Sequence, residues 1–311
     1  MKQKTLIFHI GCGSGFFSEY LGMVFALAYC KIHNIEFKLY SKDANFAYRK
    51  GWTDFFEPFC EEVDENFHSV YNMRIPFPSL AKMMYKKIVR KISIPSWFWK
   101  KYSWWYAKVF LTAPFYKRKY HFDYYTHDLW NKIQKFSKHN TITIHKFLTA
   151  TWKFNAETLK EITYITEKLN LPDVFIGTQI RAGDKATEAQ LIEFSVYMEK
   201  IKSLNTYIFD LFILTDDYRI IAEIRDSYPE YRIFTLCNEE ANGYENSKFQ
   251  RMDKETKRRE LIKLFASIEI LWKSELLVAS LNANPSLFLY HRQHPNAHWI
   301  DYKSESISKR I

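Results

Sequence analysis

Val174-Phe175-Ile176-Gly177-Thr178-Gln179-Ile180-Arg181-Ala182-Gly183-Asp184-Lys185-Ala186-Thr187-Glu188-Ala189 passes directly from an apolar run into a charged turn. Val174 to Ile180 predicts a buried strand, and Thr187 to Ile201 predicts the helix that follows it. The succession then repeats. Strands are predicted over 207–215, 231–236 and 276–280, and helices over 218–227 and 258–273, with a polar loop over 238–257. Short apolar strands alternating with helices predict a parallel sheet covered on both faces.

Toward the N-terminus, Leu6 to Ile10 reads as a strand and Gly11-Cys12-Gly13-Ser14-Gly15 as a tight loop. Phe17 to Ile32 then reads as a buried helix and Ile35 to Tyr40 as a second strand. Thr141 to His145 alternates as a strand does. Asn155 is the expected cap of a helix whose Leu159, Ile162, Ile165, Thr166 and Leu169 form one face. Between Trp52 and Phe136 the chain is aromatic, basic and broken by Pro58, Pro76, Pro78, Pro95 and Pro114, with no clean period. The expected architecture is α/β with two Rossmann-like domains, 1–165 and 166–311.

Composition narrows the function classes. The 311 residues are 47% hydrophobic and 26% charged, enough apolar content for packed cores. Cys12, Cys30, Cys60 and Cys237 lie far apart with no CxxC pair, which argues against a zinc knuckle or disulfide framework and points to a reducing compartment. The apolar run Leu21 to Cys30 is half the roughly 20 residues a membrane-spanning helix needs. The N-terminal apolar run stops at Gly11, too early for a leader peptide.

The formal charge is +10, and residues 82–119 carry eleven Lys and Arg with no Asp or Glu, so the rest is near neutral. Trp97, Trp99, Trp104 and Trp105 lie in that stretch. Trp and Tyr beside Lys and Arg suit an anionic membrane surface. An aromatic core with outward lysines and an acceptor-sugar platform also remain open there. No nucleic-acid-binding motif accompanies the stretch.

Two loops carry the chemistry. Gly11, Cys12, Gly13 and Gly15 stand between a strand and a helix, where a backbone can approach an anion. Arg181 stands at the carboxyl end of its strand, where open α/β sheets bind ligands. Its planar fork matches a diphosphate. Asp184 is placed to orient it, and Glu188 is a candidate base.

The segment from Gly177 to Ala189 resembles the His-x-Arg-Arg-Thr-Asp-Lys-x-Gly-Thr-Glu-Ala motif of the α1,6-fucosyltransferases. Three further stretches match in the same order. Ile213-Leu214-Thr215-Asp216-Asp217, with Tyr228-Pro229-Glu230-Tyr231 after it, resembles that family's Ala-Thr-Asp-Asp strand end and its sequel. Ser267-Ile268-Glu269-Ile270-Leu271 through Leu276 to Asn284 resembles its helix and donor-binding loop. The Gly11 to Gly15 loop resembles its Gly-Cys-Gly-x-Gly-Cys stretch. The resemblance implies a GT-B glycosyltransferase, with parallel sheets facing across a cleft, that transfers fucose from GDP-fucose with inversion and without a metal or other cofactor. It implies that Arg181 neutralises the β-phosphate, Glu188 takes the acceptor proton beside Lys185, and Asp216 and Asp217 hold the site loops. Tyr197, Gln179, Asn282, Ala283 and Asn284 would line the donor site.

The departures are specific. Gln179 replaces the family's histidine, Ala182 its second arginine and Ser267 the aspartate that pairs with guanine, with Glu269 two residues on. Ala283 replaces a donor-loop serine. Another nucleotide sugar therefore stays open as donor, as does a non-catalytic glycan- or membrane-binding protein. The glycine loop alone also fits an S-adenosylmethionine-dependent methyltransferase, although His9 and Tyr40-Ser41-Lys42 stand where those enzymes carry acidic residues. Asp216-Asp217 and the His291, His294, His298 set are not read as metal sites, because the first lacks a third ligand and Pro295 interrupts the second. The expected partners are a nucleotide-sugar donor, a glycan or lipid-linked glycan acceptor and an anionic membrane. The expected location is the cytoplasm, at the inner face of the membrane.

Overall fold

A computed structural model of the protein describes residues 5–10, 14–42, 44–64, 127–182, 192–205 and 207–301. The chain divides into two compact units, Met1–Asp54 with Pro58–Thr151, and Phe55–Glu57 with Trp152–Ile311.

The first unit opens with β1 (Thr5–His9), α1 (Phe16–Ile32) and β2 (Glu36–Tyr40), and β3 (Glu61–Glu62) follows. These strands form a parallel sheet in the order β1-β2-β3. Helix α1 is buried around nearly its whole circumference from Phe16 to Cys30, because it packs against β1, β2, α2 (His127–His139) and α3 (Thr141–Thr151). Tyr20 ties it to α3, its hydroxyl lying 3.2 Å from the Leu148 carbonyl and 2.8 Å from Thr151 Oγ1.

Helix α3 corrects the strand expected over Thr141–His145. Five alternating residues fit either period. Over eleven residues the helical set wins, with Ile144, Leu148 and Thr151 buried while Ile142 is 80% exposed. The turn Tyr48 to Gly51 wraps the Asp54 carboxylate, which accepts the backbone N–H groups of Tyr48, Arg49, Lys50 and Gly51 at 2.8–3.0 Å.

In the second unit, α4 (Ala156–Lys168) starts at Asn155, whose side chain accepts from the Thr158 N–H at 2.9 Å. Thr158 and Ile162 are buried, whereas Leu159, expected on the inner face, is 53% exposed. The alternation continues with β4 (Ile176–Ile180), α5 (Phe194–Leu204), β5 (Asp210–Thr215), α6 (Tyr218–Ser227), β6 (Arg232–Phe234), α7 (Asn246–Arg251), α8 (Lys254–Lys273), β7 (Leu276–Ala279), α9 (Asn284–Arg292) and β8 (Ala297–Trp299). All five strands are parallel, in the order β6-β5-β4-β7-β8. Helix α7 falls within the expected polar loop. Helix α9 and strand β8 are too short to stand out in the sequence, though Pro285 lies in the first turn of α9, where a proline is suited.

Packing around β4 is close. A Cβ on Gly177 would stand 2.8 Å from Ser274 Oγ and 2.9 Å from Leu271 Cδ2. Across the unit, Phe55, Phe56, Trp152, Phe154, Phe265 and Phe288 form one aromatic cluster. Glu269 anchors it, accepting from Trp152 Nε1 at 2.7 Å and from both terminal nitrogens of Arg292 at 2.6 and 3.1 Å.

Candidate active site

The sheet of the second unit grows from β4 to β5 to β6 in one direction and then returns across β4 to β7 and β8. The order reverses between β4 and β7. The carboxyl ends of those two strands lie side by side there, which is where open α/β sheets bind ligands. Arg181 follows β4 directly, and Ser280 to Ala283 links β7 to α9.

Three loops are tied together at this edge. The Asp216 carboxylate, at the end of β5, accepts from the Ala182 N–H at 2.8 Å and the Tyr244 N–H at 3.1 Å. It also lies 3.3 Å from Arg181 Nε, both side chains being 17% exposed. The Asp216 carbonyl accepts from Gly243 N–H at 2.8 Å, where a φ of 102° requires glycine. Tyr244 then lies with its ring centre 5.4 Å from the guanidinium carbon of Arg181. The arginine is thus held between a carboxylate and an aromatic face. Asp217 does different work: it caps α6, accepting from the Arg219 N–H at 3.0 Å, and the Arg219 guanidinium holds its carboxyl below the usual range.

On the β7 side, α9 begins with no side-chain cap. Its first-turn N–H groups make a local positive end suited to an anion. Asn282 Oδ1 is buried and accepts no hydrogen bond among the described residues. Gln179 is 3% exposed and accepts from the Ser286 hydroxyl, so it braces α9. Tyr197, on α5, is 1% exposed; burial raises its phenol pKa, an effect eased by a hydrogen bond with Ser280. Ser267 is 2% exposed and its hydroxyl donates to the Lys263 carbonyl at 2.8 Å. Ala283 is buried, and Asn284 is the first residue of α9.

Gly15 belongs to the first unit, where it precedes α1 with an ordinary extended φ of −63°. Its Cβ position meets nothing within 4 Å. Gly11, Cys12, Gly13, Asp184, Lys185, Glu188 and the stretch 82–119 lie outside the described residues. Ser286, Tyr244 and Asp301 are site neighbours that sequence reasoning missed, since nothing local distinguishes them. Among the described residues no group of three or more His, Cys, Asp or Glu is arranged to hold a metal ion. Likewise, no helix there is long and apolar enough to cross a membrane.

No protein-family model matches the sequence, and no curated protein matches it. Solved structures do. NodZ α1,6-fucosyltransferase soaked with GDP-fucose superposes with a TM-score of 0.53 at 12% identity, over 95% of this chain and 93% of that one. Fucosyltransferase NodZ from Bradyrhizobium gives 0.52 at 12% identity, over 97% of each chain. The apo-form of POFUT1 gives 0.52 at 11% identity, over 96% of this chain and 98% of that one. The fold is that of the GT-B fucosyltransferases. Arg181 follows β4, the central strand of the five-stranded sheet, and the glycine segment belongs to the chain that follows β1 in the other sheet.

Proposed function

We propose that the protein is an inverting glycosyltransferase that moves fucose from GDP-fucose to a hydroxyl of a glycan or lipid-linked glycan. One observation carries the reading: Arg181, clamped by Asp216, sits beside the reversal of strand order and near the uncapped start of α9. The GT-B fold and the GDP-fucose named with one structural neighbour support it.

In this scheme the acceptor oxygen attacks the anomeric carbon from the face opposite the diphosphate. The sugar–phosphate bond breaks and its electron pair leaves with GDP. Arg181 and the α9 N-terminus stabilise the charge that builds on the departing phosphate, so the reaction asks for no metal ion. Glu188 takes the acceptor's proton with Lys185 as its partner, and Asp184 helps to orient Arg181. The eleven Lys and Arg of residues 82–119 would draw the protein to an anionic membrane at the cytoplasmic face.

Calorimetric titration with GDP, UDP and S-adenosylmethionine, followed by GDP release from GDP-fucose with a glycan acceptor, tests the reading. Binding of GDP is expected, and Arg181→Ala is expected to lower turnover by about 100-fold or more, as loss of a transition-state charge partner does. Tight S-adenosylmethionine binding without nucleotide binding overturns it. Binding of a glycan without any nucleotide favours a non-catalytic protein.

A further inference from the structure

The link from β7 to α9 lies outside the described strands, and two of its donors, the N–H groups of Leu281 and Asn282, are satisfied by one side-chain chain. Asp301, just beyond β8, accepts from the Leu281 N–H at 2.7 Å with one carboxylate oxygen and from the Ser280 hydroxyl at 2.8 Å with the other. Ser280 Oγ in turn accepts from the Asn282 N–H at 3.2 Å. The buried Tyr197 closes the chain on Ser280. Strand β8 is itself fixed, since the Ile300 N–H donates to the Ala279 carbonyl at 3.0 Å. The loop so held aims the uncapped start of α9 and presents Asn282 Oδ1, which has no partner among the described residues.

We infer that Asp301 is a positioning residue that holds the β7–α9 loop in its donor-binding form, Ser280 and Tyr197 acting through it. The inference rests on the donor-site reading above. A loop that populates its competent form only part of the time weakens ligand binding by that fraction, without altering chemistry once the donor is seated. Asp301→Ala is therefore expected to raise the KM for GDP-fucose and the Kd for GDP about tenfold. The turnover number at saturating donor and the acceptor KM are expected to stay within about twofold, because bound donor restores the loop. Asp301→Asn keeps an acceptor for the Leu281 N–H but turns an amide donor toward Ser280 Oγ in place of an acceptor, and is expected to recover part of the loss.

Amide exchange in the donor-free protein reads the same device independently. Leu281 and Asn282 are expected to exchange at least tenfold faster in Asp301→Ala while Leu277 and Val278 in β7 keep their protection. Unchanged exchange at Leu281, or loss of β7 protection in parallel, overturns the inference. A wild-type protein that binds no nucleotide, yet shows the exchange difference, overturns the donor reading instead. Wild-type GDP affinity in Asp301→Ala overturns the positioning role.

Discussion

Replacing Asp216 with alanine tests whether the site is a built clamp. The carboxylate accepts from Ala182 N–H at 2.8 Å and Tyr244 N–H at 3.1 Å and pairs with Arg181 at 3.3 Å. A hydrogen bond to a charged group contributes about 1.5–3 kcal/mol, and an amide left without a partner costs about 1–3 kcal/mol. Asp216 is 17% exposed, so water reaches part of this cluster and the low end applies. The expected loss is about 2–4 kcal/mol, or roughly 5–15 °C in the unfolding midpoint of a domain of this size. Binding falls for a separate reason. Arg181 regains the rotamer freedom that the clamp had removed, up to about 2 kcal/mol, which weakens GDP binding by up to about 30-fold. Asp216→Asn keeps one acceptor for Ala182 and should lie between. Thermal unfolding and calorimetric titration with GDP read the two effects. An Asp216→Ala protein that melts within about 2 °C of wild type and binds GDP as tightly would refute the clamp, since the stability range above excludes that melting point.

Gly177→Ala puts a methyl 2.8 Å from Ser274 Oγ and 2.9 Å from Leu271 Cδ2, and overpacking of this kind is expected to cost about 1–3 kcal/mol in a denaturant titration. His291 is 1% exposed and burial pushes its pKa down to about 4. The unfolded chain takes up that proton near pH 6.5 and the folded one does not, so stability is expected to fall from about pH 6.5 toward pH 4. His291→Phe should flatten that limb of the melting profile. If residues 82–119 dock on membranes, sedimentation with anionic vesicles is expected to weaken as salt rises from about 0.05 to 0.5 M and in Trp99→Ala with Trp104→Ala. Neutral vesicles should retain little protein.

Much of the second unit was readable because β4, β5 and β7 are short apolar runs and α4 and α6 start behind the capping side chains of Asn155 and Asp217, whereas α5 begins at Phe194 and not at Thr187. Helix α6 runs from Tyr218 to Ser227 as expected, behind the cap Asp217. The position of Arg181 was legible for the same reason: it is the first charge after the apolar strand β4. What could not be read were pairings that depend on the fold already being in place. Ser286 meets Gln179 across 107 positions, and Asp301 reaches Leu281 across 20. The misread strand at Thr141 shows the other limit. An alternation of five residues contains too little period to separate strand from helix, and burial of Ile144 and Leu148 decided it.

The two halves of the proposed donor site have unequal support. On the proposed phosphate side, Arg181 pairs with Asp216, and Asp301 holds Ser280 and the Leu281 N–H. On the side where the resembled family pairs guanine with an aspartate, Ser267 spends its only proton on Lys263. Glu269 does not substitute for it: two residues further on is about 200° around the helix, and its carboxylate is occupied by Trp152 and Arg292. A charge-assisted hydrogen bond contributes about 1.5–3 kcal/mol, a factor of about 10 to 150 in affinity. With that carboxylate gone, recognition shifts toward the diphosphate, which every nucleoside diphosphate shares. Competition titrations should accordingly show GDP preferred over UDP by less than about 100-fold. A larger preference would require a base-reading group elsewhere in the chain, and would return the weight of recognition to the nucleoside.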